Sequence, residues 1–137
     1  MGLKIEYLTG DGDEYPLIRI FGRDVAAVGR LIAAIKGLSA SGLPEVLHTI
    51  DGIETLNCSL SAAISERETG GVRPNGKDNA FLWVLSDRRR RAILDLLGPF
   101  EVSSPRDIFQ WLSGSRASGD ADGGVGLVIT TDDLGRW

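Results

Sequence analysis

The octapeptide Gly71-Val72-Arg73-Pro74-Asn75-Gly76-Lys77-Asp78 comes within one residue of a phosphate-binding loop. That motif runs Gly, four residues, Gly-Lys, then Ser or Thr, whose hydroxyl holds Mg²⁺. Asp78 stands in the hydroxyl's place and would set a carboxylate against the triphosphate. The motif must also open a helix, whose first amides receive the phosphates. Here it runs into Asn79-Ala80-Phe81-Leu82-Trp83-Val84-Leu85, an apolar, aromatic stretch that reads as a strand. The octapeptide therefore reads as a glycine-rich hairpin connection, and nucleotide binding is not expected of it.

Arg88-Arg89-Arg90-Arg91 is the second concentration of chemistry. Four cations in a first helical turn oppose the macrodipole, which favours acids there. One use for them is capture of an anion or an acidic partner surface, assisted by the helix amides. The competing reading is a solvated helix face, with Asp87 beside the run, Arg91 paired to Asp95, and the stems of Arg89 and Arg90 packed on the apolar stripe. An intervening strand of eight residues, about 25 Å long, separates Arg73 and Lys77 from this run. A split basic cluster neutralises few phosphates together, so nucleic acid is not the expected partner.

The remaining reactive residues are isolated. His48 is the only histidine and Cys58 the only cysteine, so neither an intrachain disulfide nor a cysteine-based zinc cluster can form. Asp11-Gly12-Asp13 and Asp120-Ala121-Asp122-Gly123-Gly124 fall short of an EF-hand loop, because Tyr15 and Gly124 occupy the third ligand position. They read as polar turns. Trp83 and Trp111 read as core residues, and Trp137 as a terminal aromatic docked on its own domain or on a partner. No catalytic residue, metal site or cofactor is assigned.

The elements that must position these residues follow from periodicity. Leu3 to Leu8 alternates apolar and polar positions, as does Leu17 to Phe21 less cleanly, around Thr9-Gly10-Asp11-Gly12-Asp13-Glu14, a hairpin signature. Asp24 can cap a helix whose stripe is Val25, Val28, Leu31, Ile32, Ile35 and Leu38. Glu45 to Ile50 and Ile53 to Ser61 flank Asp51-Gly52, the dipeptide of two-residue type I′ turns. That register places Leu47, Leu56, Cys58 and Leu60 on a core face, and His48, Thr55, Asn57 and Ser59 on a polar face. Residues 79–86 form a strand, Ser86 caps a helix from Asp87 to Leu97, and Val125 to Thr131 forms a last strand. Ser104, Pro105 and Asp107 suggest a third helix from Pro105 to Leu112, with a short strand from Ile108 to Leu112 as the rival.

The 137 residues carry a net charge of −4, a hydrophobic fraction of 42% and a charged fraction of 25%, ordinary for one globular domain. Residues 67–91 hold seven basic and three acidic groups and stand at +4, leaving −8 elsewhere. Residues 1–6 lack a signal-peptide layout, Glu6 breaks the myristoylation pattern, and no apolar run is long enough for a bilayer. A cytoplasmic location is expected, with no membrane partner.

The expected fold is a single α+β domain over residues 1–137, in the order β-β-α-β-β-β-α-α-β. A mixed or mainly antiparallel sheet of about six strands would carry the helices on one face. The expected function is that of a small non-enzymatic binding or adaptor module whose partner is a protein, another copy of the chain included. The alternative is a small-ligand or anion-binding protein, or an enzyme, using Arg88 to Arg91. A deep pocket converging on those arginines or on His48 favours the ligand binder, and an apolar surface patch favours the adaptor.

Overall fold

Two antiparallel strands, β1 (Leu3–Leu8) and β2 (Leu17–Phe21), pair as expected, with Ile5 opposite Ile20. The computed structural model in which they lie describes residues 2–10, 16–39, 42–65, 71–76, 79–102, 108–113 and 125–131. Helix α1 (Val25–Lys36) follows β2 directly, and Asp24 caps it by accepting from the Ala27 amide at 3.0 Å. Ala27, Val28, Leu31, Ile32 and Ile35 are buried along one stripe.

The chain then forms β3 (Glu45–Val46), a 3₁₀ turn over Leu47–Thr49, and the strands β4 (Ile53–Thr55), β5 (Ser59–Ile64), β6 (Gly71–Pro74) and β7 (Ala80–Leu85). Helix α2 (Asp87–Leu97) runs into a second 3₁₀ turn, Gly98–Glu101. Strands β8 (Phe109–Ser113) and β9 (Gly126–Thr130) complete the described chain. The architecture is α+β with mixed pairing, as expected, spread over two sheets. One has the order β4-β1-β2-β9-β8 and the other β3-β5-β7-β6. A single apolar cluster draws on both sheets and both helices, from Leu3, Ile20 and Ile129 through Leu31 and Ile35 to Leu60, Trp83 and Ile93. The sheets meet where the Val125 amide donates to the Val72 carbonyl at 3.0 Å.

Two expectations are corrected. The Asp51-Gly52 turn forms, with the Ile53 amide donating to the Ile50 carbonyl (3.0 Å) and Gly52 at φ +88°, but no hairpin surrounds it. Its second arm instead pairs in parallel with β1: Leu3 donates to the Gly52 carbonyl (2.8 Å) and Leu56 to that of Ile5 (2.9 Å). Its first arm coils into the 3₁₀ turn. A turn dipeptide fixes local geometry only, and the open edge of β1 offers the competing partner. Leu47, Cys58 and Leu60 are buried as expected, whereas Leu56 is half exposed (50%). The third helix is likewise a strand, the rival reading, because β9 pairs with Phe109–Ser113 on its far side. The aromatic residues suit a strand there, and the cap signals Ser104, Pro105 and Asp107 lie outside the described residues.

Glycines set how closely the backbones approach at one end of the first sheet. A Cβ on Gly22 (φ +134°) would sit 2.6 Å from the Gly2 carbonyl oxygen, and one on Gly2 (φ +114°) 2.7 Å from that of Gly52. A Cβ on Gly52 would in turn meet Arg30 and Ala27 of α1. Three chain segments thus touch through main-chain atoms, with Ala27 and Arg30 side chains of the helix resting on Gly52. Gly22→Ala is expected to cost about 2 kcal/mol or more, from positive φ and the clash together. Gly76→Ala shares the positive φ (+103°) but has open space around it, so it should cost less. Urea unfolding of the two variants checks this, and equal losses would show that the close contact relaxes freely.

Candidate functional site

The segment Gly22-Arg23-Asp24 links the end of β2 to the start of α1, and β9 lies parallel to β2. The carboxyl ends of both strands therefore open beside the first turn of the helix. Gly22 donates to the Thr130 carbonyl at 3.2 Å and ties the two ends together. The 3₁₀ turn Gly98–Glu101 closes the other side by burying Phe100. The space between is a crevice of about 290 Å³ with Leu3, Val28, Phe100 and Ile129 as apolar walls. Val25 (40% exposed) and Val102 (68% exposed) also line it. A volume near 300 Å³ is the lower end of what ligand sites enclose.

The polar side chains beside this crevice have partners within the chain. The Asp24 carboxylate caps α1, and Arg23 has an interaction of its own. The Thr131 hydroxyl accepts from the Ile108 amide (2.9 Å) and donates to the Ile108 carbonyl (3.4 Å). Most of the surface left for an incoming group is apolar. No set of three or more His, Cys, Asp or Glu side chains converges as a metal site among the described residues.

The four arginines are not assembled into one anion site. Ser86 caps α2 by accepting from the Arg89 amide at 3.0 Å. The Arg89 guanidinium donates to the Leu112 carbonyl of β8 (3.0 Å). Arg90 donates to the Leu38 carbonyl just past the C-terminus of α1 and to that of Lys36 at its end, while pairing with Asp87. Cations are favoured at that helix terminus, so the run opposes one dipole and complements another. Arg91 pairs with Asp87 at 3.0 Å, where Asp95 had been the expected partner. Arg88 is exposed and makes no hydrogen bond or ion pair among the described residues.

Other residues singled out in the sequence have structural contacts. His48 lies on the 3₁₀ turn, and its Nδ1 accepts from the Leu60 amide at 3.4 Å, which spends the ring's acceptor on the backbone. Burial, with the nearby Glu6 carboxylate adding to it, pushes the Cys58 thiol up to about 11, away from nucleophilic use at neutral pH. In the octapeptide, Gly71–Pro74 is strand β6 of a hairpin with β7, and Arg73 lies opposite Leu82. Helix α2 begins only after β7, so the octapeptide does not open a helix. Lys77 and Asp78, both aspartate-rich turns and Trp137 lie outside the described residues.

The sequence reading passed over the crevice and Arg19. A lone charge within Leu17-Ile18-Arg19-Ile20-Phe21 was the available signal. Arg19 is 5% exposed, pairs with Glu6 at 2.7 Å and stacks on Phe21 with 4.1 Å to the ring centre. Its Nε and Nη1 have no partner among the described residues. The crevice itself joins residues from four separate parts of the chain, which no local pattern announces.

No family model, curated protein or solved structure matches this chain. No helix among the described residues is long and apolar enough to cross a membrane.

Replacing Arg90 by Met, which keeps an unbranched stem and removes the charged fork, is expected to cost about 2 kcal/mol. Arg88→Glu is expected to raise the thermal midpoint slightly at low salt, an effect that shrinks as salt screens the dipole. Calorimetric melts at two ionic strengths check both. A destabilised Arg88→Glu variant at low salt would mean that Arg88 makes a specific stabilising contact.

Proposed function

We propose that this chain is a small, non-enzymatic binding domain of the cytoplasm that holds a protein partner through the crevice between α1 and the Gly98–Glu101 turn. The supporting observation is the exposure of Val25 and Val102 beside a cavity whose walls are mainly apolar. Apolar surface left open around a pocket suits an inserted partner side chain, the arrangement in which a few buried anchors carry most of the binding energy. A volume of about 290 Å³ accommodates one large aliphatic or aromatic side chain.

Two features favour insertion over the addition of a partner strand. The β8 edge is occupied at the Leu112 carbonyl by Arg89 and at the Trp111 carbonyl by the Gln110 side chain (3.1 Å). Beyond the short β4, the Asn57 side chain bonds both the amide (2.8 Å) and the carbonyl (2.9 Å) of Tyr7. Such plugs blunt strand edges against pairing. The competing proposal, an anion binder or enzyme using Arg88 to Arg91, has less to work with, since Arg89, Arg90 and Arg91 already hold internal partners. A second copy of the chain remains within the same proposal as a possible partner.

The test places a photo-crosslinking side chain at position 102 in cells and identifies the adducts by mass spectrometry. A discrete protein adduct is expected, and it should be lost on adding Val25→Glu. An acid at the first helical position suits the dipole, so that variant should melt like the parent. An adduct formed from a probe at Leu43 or Arg88, with none from position 102, would overturn the assignment.

A further inference from the structure

Three asparagines occur in the chain, and their surroundings differ sharply. The Asn57 amide is held at both ends by the Tyr7 backbone, and Cys58 follows it. The Asn79 amide nitrogen donates to the Asn57 carbonyl at 3.1 Å, and Ala80 follows. Asn75 is exposed and is followed by Gly76, which is exposed, at φ +103°, and has nothing within 4 Å of where a Cβ would stand. The main-chain amide of Asn75 is anchored to the Ala80 carbonyl (2.8 Å), while its side chain and the Gly76 amide make no hydrogen bond among the described residues.

We propose that Asn75-Gly76 is a site of spontaneous deamidation and isoaspartate formation in the native protein. The Gly76 nitrogen attacks Cγ of Asn75, a new C–N bond closes a five-membered succinimide, and the Cγ–Nδ2 bond breaks. Ammonia leaves with the proton from the Gly76 amide. Water then opens the ring at either carbonyl, giving aspartate or isoaspartate, with nothing oxidised or reduced. Glycine is the successor that least obstructs this attack, because no Cβ crowds the nitrogen. Asp51-Gly52 shows the opposite environment, since α1 crowds Gly52 and Arg30 holds the Asp51 carbonyl at 3.2 Å.

The consequence reaches beyond the turn. Isoaspartate adds a methylene to the main chain at the residue whose amide closes the β6–β7 hairpin, and it brings a negative charge. Strand β6 carries the Val72 carbonyl that accepts from Val125 and joins the two sheets. The altered turn therefore loosens that junction with age, a slow change in the protein that needs no enzyme.

The test incubates the folded protein in mildly alkaline buffer and follows tryptic peptides by mass spectrometry, with isoaspartate detected by enzymatic methylation. The peptide holding residue 75 should gain one dalton and methylate, while those holding Asn57 and Asn79 stay unchanged over the same period. Gly76→Ala should slow the step on the order of tenfold or more. In the converted fraction, hydrogen exchange at the Val125 amide should quicken. Conversion of Asn75 in urea but not in the folded protein would overturn the proposal, as would prior conversion of Asn57 or Asn79.

Discussion

The close approach of Gly2, Gly22 and Gly52 is the constraint on which the rest of the structure depends. Each carries a positive φ, and at Gly2 and Gly22 a side chain would overlap a carbonyl oxygen of the next glycine in the set. This contact lets the ends of β1 and β2 and the start of β4 gather under α1, with Ala27 and Arg30 resting on Gly52. At the same point Gly22 bonds to Thr130, where β9 lies beside β2. The crevice follows from the same geometry, because the chain must turn from β2 into α1 within Gly22-Arg23-Asp24. Its rim is thus held by main-chain packing, so a group entering it would demand little reorganisation.

Side chains with strong donors complete what the short strands leave open. Asn57 stands in for a missing strand residue against Tyr7, and its carbonyl accepts from Asn79 across to the second sheet. Arg89 and Arg90 reach from α2 to β8 and to the C-terminus of α1. A basic run with the appearance of a ligand site is, in two of its four members, a pair of internal fasteners. The cost of four cations at a helix start is offset by where the second and third of them end.

How much could be read from the residues depended on the range of the interactions involved. The caps at Asp24 and Ser86, the stripe of α1 and the β1–β2 hairpin are local, and each follows from spacing alone. The Asp51-Gly52 turn was legible, but the partner of the strand after it was not, because that choice lies with β1 some fifty residues earlier. Phe109 to Ser113 reads equally as helix or strand until β9 supplies an edge. The alternation of β2 and β9 is weak because both strands are interior and buried on both faces. The crevice was illegible for the same reason, since its apolar walls come from β1, α1, the 3₁₀ turn and β9.

That a preformed apolar crevice is the binding site can be tested without knowing the partner. Methyl-labelled protein titrated with a small aromatic probe such as indole should show saturable shifts at Val25, Val28, Leu3 and Ile129, which line one space. Coincident shifts at these methyls, absent in a variant carrying Val28→Trp that fills the space, are the predicted result. Shifts confined to Leu43 and Leu56, or centred on the arginine run with the crevice methyls unmoved, would contradict it.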